Sequence, residues 1–231
     1  MKRSHWATLL VFLVLIPLTL FLGKFLPGRS YYITVTLIIA ELLIPFFLAF
    51  EGRKPQAREL ALLAVMCALA IAGRVVFPIP HFKAVFAVII LTAIAFGPEA
   101  GFMVGAITAF ASNFFYGQGP FTPWQMMAYG AGGMLAGFAF DKGKLPQKPW
   151  VMAVFGFLSV LFWIGPLMDC SSIFLMLSRI TWTAVVTVFA SGFFINCCNA
   201  LCTAAVLFFL GKPLLQKLHR IQVKYGILNQ E

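Results

Sequence analysis

Charge is scarce in this chain, and acidic charge scarcest: 7 Asp and Glu and 17 Lys and Arg occur among 231 residues, so that only 10% of the chain is charged. Histidine is limited to 3 residues and cysteine to 5. No GxxxxGK[ST] loop is present to cradle a nucleotide phosphate, so the chain does not hydrolyse ATP by that route. HExxH, GxSxG and a DxxxD acid pair are also missing, which leaves a membrane enzyme without a recognisable centre. Cys67, Cys197, Cys198 and Cys202 lie inside apolar runs and read as small apolar residues. Cys198 and Cys202 are four apart, but no His or acid pattern completes a metal site, and Cys170 has no partner for a disulfide. Neither metal nor cofactor is implied, and no repeat of about 20–50 residues divides the chain.

What remains is strongly apolar. Hydrophobic residues make up 61% of the chain, 26 of them phenylalanine, against roughly 45–50% apolar residues in soluble domains. This is the composition of an integral membrane protein. A helix crosses a bilayer core with about 20 mainly apolar residues, and runs at 6–26, 30–50, 59–77, 82–97, 100–116, 124–140, 150–168 and 181–210 meet that test. Alternating polarity, the mark of a membrane barrel, is absent, so the expected fold is all-α, with eight helices. Lys2 and Arg3 before the first run also suit a signal peptide. Its length, from Trp6 to Leu26, and the lack of a small-x-small pattern in KFLPGRSYY favour a retained helix.

Orientation follows from the basic residues. With a cytoplasmic N-terminus, the inner segments hold Lys2, Arg3, Arg53, Lys54, Arg58, Lys142, Lys144, Lys148, Lys212, Lys217, Arg220 and Lys224, which is 12 of the 17. Both termini are then cytoplasmic, and the net charge of +10 reflects topology and anionic lipid rather than nucleic acid. The connections 78–81, 116–123 and 169–180 fall together on the outside. The expected organisation is two N-terminal helices and a charged linker (1–56), a six-helix unit (57–212) and a basic cytoplasmic tail (213–231).

Several polar groups stand out against the apolar background. Arg74 and Lys83 flank PIPH; each reads equally well as a snorkelling cation or as a ligand contact. His81 reads first as a solvated side chain. Tyr116, Phe121 and Trp124 suit an interfacial aromatic belt. Gly117, Gly119, Pro120 and Pro123, however, fix a compact irregular path of the kind tolerated where it lines a cavity. Asn113, Gln118 and Gln125 bring amide donors and acceptors to the same place. Asp169 and Arg179 can pair with each other. Asn196 and Asn199 read chiefly as interhelical hydrogen-bonding groups, while Trp182 heads the last helix as its foremost ligand contact. Gly101, Gly105, Gly130, Gly132, Gly133 and Gly137 read as internal packing positions.

Residues 57–140 carry a resemblance. Alanines at fourfold spacing (Ala57, Ala61; Ala64, Ala68, Ala72) are followed by PIPHFK, AFGPEAGFMVGAITAF and FFYGQGPFTPWQMMAYGAGGMLAG. Together they resemble a substrate-binding S component of an energy-coupling factor transporter, and GQGPFTPWQM is similar to the cobalamin-type members. The resemblance implies a six-helix subunit of the bacterial plasma membrane. Such a subunit takes up a vitamin outside and topples against a T component driven by two ATPase subunits. It further implies that Ala64, Ala68 and Ala72 face the T component. Arg74, His81, Lys83, Asn113, Tyr116, Gln118, Trp124, Gln125, Arg179 and Trp182 become candidate substrate contacts. Riboflavin, folate and pantothenate remain open as substrates. A self-sufficient carrier or membrane enzyme working through Glu41 is the competing class, though a carrier would be expected to show internal repeats.

Overall fold

The computed structural model describes residues 10–23, 31–52, 56–76, 81–177 and 179–225. Expectations that fall on residues 78–80 of the PIPH turn, on Lys2, Arg3, Lys24, Arg29, Arg53 and Lys54, and on residues 226–231 lie outside the described residues. The described chain is all-helical, as its composition dictates. Eight helices follow one another: α1, a π-helical turn Val11–Leu15 running into Ile16–Gly23; α2, Tyr31–Gly52; α3, Ala57–Val75; α4, Val85–Phe96; α5, Pro98–Tyr116; α6, Thr122–Phe140; α7, Pro149–Met176; and α8, Trp182–Tyr225.

Helix boundaries are written in glycine and proline. Gly97, at φ 90°, turns the chain between α4 and α5, and Pro98 then opens α5 at a position where its missing N–H costs nothing. Gly117, at φ 96°, ends α5, and prolines occupy the first turns of α6 and α7. Within α7, Pro166 cannot donate to the carbonyl one turn back, and the residues just before it, Val160–Ile164, form a π turn.

The core is centred on α4. Its side chains from Val85 to Ala93 are all buried, and it packs against α3, α5, α6 and α8. The tightest crossing joins α5 to α6. A Cβ on Gly105 would lie 2.4 Å from the Tyr129 carbonyl oxygen, and one on Gly133 2.4 Å from that of Gly101. The two backbones therefore touch, as small residues permit where lipid removes the hydrophobic drive between helices. The expected packing role of these glycines holds. Helix α2 leans on this pair, with Phe46 stacked on Phe102 at 4.3 Å and Phe47 edge-on at 6.4 Å. Helix α1 packs on α2, where the Thr19 hydroxyl donates to the Glu41 carboxylate.

Large apolar side chains point outward along the bundle; Phe114, Phe194 and Phe209 are each at least 70% exposed. That exterior suits lipid and would be untenable in water. Pro149–Met176 and Trp182–Lys224 are each long and apolar enough to cross a bilayer, while Val85–Phe96 is apolar but only 12 residues long.

Two expected boundaries are corrected. Residues 169–180 were expected as an external loop, yet α7 continues to Met176 and only 177–181 connect it to α8. Ser171 and Ser172 donate to the Met168 carbonyl, at 2.6 and 3.5 Å, so their hydroxyls are satisfied inside the helix. The last helix, expected to stop near 210, runs through Pro213 to Tyr225 with Leu215 and Leu218 buried. Residues 213–225 thus prolong α8 instead of forming a tail.

Candidate functional site

A cavity of about 220 Å³ opens between α3, α4, α6, α7 and α8. Arg74 and Gln125 are on its wall, as are Asp169, Asn196 and Asn199 and the rings of Phe86 and Tyr129. A larger cavity, about 370 Å³, lies at the other end of α4. The smaller one has the features of a ligand site: apolar and aromatic walls carrying a few fixed polar groups.

Arg74 is its best-ordered cation. Nη1 donates to the Ser112 hydroxyl and, at 3.0 Å, to Asn113 Oδ1; Nη2 donates to Gln125 Oε1 at 3.4 Å. The guanidinium also lies 5.1 Å from the Tyr116 ring centre and 5.5 Å from that of Tyr129. Tyr116 donates its hydroxyl to the Arg74 carbonyl at 2.9 Å, which closes the clasp. Among the described residues, every partner of this guanidinium is a neutral oxygen or a ring face, so its charge is oriented but not cancelled by them.

The loop after α5 holds the clasp in place. Asn113, fully buried, accepts from Arg74 and donates Nδ2 to Thr122 Oγ1 at 3.1 Å. Thr122 donates its hydroxyl to Gln118 Oε1 at 2.8 Å, and Gln118 Nε2 donates to the Phe110 carbonyl at 2.9 Å. Both ends of the Gln118 amide are thus committed to the loop. Trp124 is 7% exposed and stacks on Phe174 of α7 at 5.5 Å. It ties α6 to α7 from outside the cavity wall, buried rather than in an interfacial belt.

Across the cavity, Asn196 donates Nδ2 to Asp169 Oδ2 at 2.9 Å. Asp169 and Arg179, which the sequence allows to pair, do not: Asp169 is buried against α8, and Arg179 is exposed. Two glycines permit the approach. A Cβ on Gly192 would meet Asp169 Oδ1 at 2.2 Å, and one on Gly165 would meet the Asn196 amide at 2.4 Å. Asn196 therefore bonds between helices, as its depth requires, and keeps Oδ1 as an acceptor on the cavity wall.

Of the candidate substrate contacts, Arg74 and Gln125 line the cavity, and Asn113 and Tyr116 hold Arg74; Asp169, Asn196 and Asn199, read in the sequence as pairing groups, line it as well. His81, exposed with φ 60°, and the half-buried Lys83 are not on the wall. Trp182 is 80% exposed and ten residues before Gly192, about 15 Å along α8. Phe86, Tyr129 and Ser112 were not singled out. Tyr129 was readable in principle, since it follows Gln125 by one helical turn and shares its face. Ala64, Ala68 and Ala72 are all exposed, while Leu63, Met66, Cys67 and Ala70 of the same helix turn inward. The alanines therefore form an outward face of α3 and take no part in the core.

No curated protein and no solved structure matches the chain. Residues 54–216 match the family model for the ECF-type riboflavin transporter, S component, a stretch that begins just before α3 and takes in the whole cavity wall. By that match over most of its length, and by its all-helical bundle, the chain belongs to the S components of energy-coupling factor riboflavin-type transporters.

Proposed function

We propose that the protein is the substrate-binding subunit of a vitamin uptake transporter and that its substrate is riboflavin, held in the Arg74 cavity. The observation that carries this reading is the pairing of an uncancelled guanidinium with an acid–amide pair across an aromatic-walled space. Riboflavin presents a flat ring with carbonyl oxygens and a ring N–H along one edge. Arg74 and Gln125 Nε2 suit the oxygens; Asn196 Oδ1 and Asp169 Oδ1 suit the N–H. Phe86 and Tyr129 offer the ring a face.

Cobalamin is the second reading, favoured by the GQGPFTPWQM loop. Against it stands the size of the cavity, about 220 Å³. A corrinoid with its many amide arms needs far more room. The riboflavin-type family match points the same way.

The partners follow from the family: a T component, met by the alanine face of α3, and two ATPases. The six helices α3–α8 form the working unit in this reading, crossing the plasma membrane repeatedly with both termini inside and the Arg74 end outside. S components are transport subunits, and this one draws its power from the partners' ATP hydrolysis. Co-expression with a tagged T component and ATPases tests the assembly: the chain is expected to co-purify and to support riboflavin uptake. Failure of both would contradict the proposal.

A further inference from the structure

The larger cavity, about 370 Å³, lies where α4 ends, α7 begins and the prolonged end of α8 passes. Its polar wall is made of Lys212, His219, Gln147 and Gln216, with no carboxylate among its lining residues. Lys212 makes no ion pair among the described residues. Gln222 explains how this end of the bundle is kept receptive to an anion. Its Nε2 donates to the Ala95 carbonyl at 2.7 Å and caps an oxygen at the negative end of α4. Its Oε1 lies 3.2 Å from His219 Nδ1. An amide oxygen only accepts, so Nδ1 must carry the proton, and Nε2 of the ring stays uncommitted. Gln147 immediately precedes the N-cap of α7, whose first-turn N–H groups add partial positive charge.

We propose that this cavity binds the phosphate headgroup of an anionic phospholipid, with Lys212 as the charged contact and Gln147 and Gln216 as amide donors. Ile94 and Leu215 supply an apolar half to the wall, which suits the glycerol and first acyl carbons of a lipid and would be wasted on a free phosphate ion. Basic pockets between transmembrane helices at the headgroup level bind anionic lipids in this way. The site rests on the membrane reading given above. It would tie the far end of α8 to the lipid surface and so set the tilt from which the subunit moves.

The test uses the full chain in a neutral maltoside detergent, titrated by thermophoresis with dioctanoyl phosphatidylglycerol, dioctanoyl phosphatidylcholine and inorganic phosphate. Phosphatidylglycerol is expected to bind saturably and about tenfold more tightly than phosphatidylcholine. Lys212→Gln should weaken it about tenfold. Lys217→Gln, on the same helix but off the cavity wall, should leave it unchanged. Riboflavin titrated into the same variants reports separately on the vitamin site and should be unaffected. Equal affinity for the two lipids, or Lys212→Gln behaving as Lys217→Gln does, would overturn the site. Tight binding of phosphate without lipid preference would overturn the lipid assignment.

Discussion

Arg74 is the residue on which the proposed vitamin site turns. Removing it deletes the cation and also strands oxygens on Ser112, Asn113 and Gln125. Hydrogen bonds to charged groups are worth roughly 1.5–3 kcal/mol. Arg74→Ala should therefore weaken riboflavin binding by about ten- to a hundredfold, measured by titration of purified protein. Arg74→Lys should recover only part of that, since an ammonium cannot match the planar fork. Unchanged affinity in Arg74→Ala would place the substrate elsewhere. Trp124 makes a contrasting case. Buried on Phe174 and off the cavity wall, it should cost stability when truncated, on the order of 3–5 kcal/mol for Trp124→Ala, and little affinity. Trp124→Phe should keep the stack and most of the melting temperature; a large loss of affinity in that variant would return Trp124 to the binding wall.

At the level of the helix, small residues play two different parts that the sequence presents alike. Gly105 and Gly133 sit in backbone contact between α5 and α6. Gly105→Val or Gly133→Val should cost on the order of 3 kcal/mol or more and lower the unfolding temperature in detergent. Ala64 and Ala68 are exposed on α3. Ala64→Leu or Ala68→Leu should leave folding and riboflavin binding intact while abolishing uptake; normal uptake in both variants would remove the T-component role from this face.

The glycines' role was readable because backbone contact in a membrane helix demands a missing side chain. Arg74 was readable because a cation in an apolar run needs a reason. Phe86 and Tyr129 were not, since aromatic residues in an apolar helix look the same whether they face a cavity, the core or lipid. The stretch after Asp169 misled for a different cause: its polar side chains imitate a loop, yet Asn196 satisfies the acid and the Met168 carbonyl satisfies the serines, so helix persists. Pro213 likewise reads as a stop, although α8 passes through it because Leu215 and Leu218 still have a core to join.

For the whole molecule, the proposed orientation, with the Arg74 end outside, rests on the distribution of Lys and Arg. An impermeant thiol reagent applied to intact cells should label a cysteine at Gly119→Cys, in a Cys170→Ala background, and spare one at Gln230→Cys. The reverse pattern would turn the vitamin site toward the cytoplasm and defeat capture from outside. The two cavities lie at opposite ends of α4, so the proposed vitamin site and the proposed lipid site are held apart by the length of that helix. The central claim, that the Arg74 cavity takes riboflavin, is tested most directly by calorimetry of the detergent-purified protein with riboflavin, cobalamin, folate and pantothenate, without ATP or partners. Riboflavin is expected to bind tightly and one-to-one, with binding lost in Arg74→Ala, and cobalamin to give no comparable heat. Tight binding of cobalamin with none of riboflavin would contradict that claim.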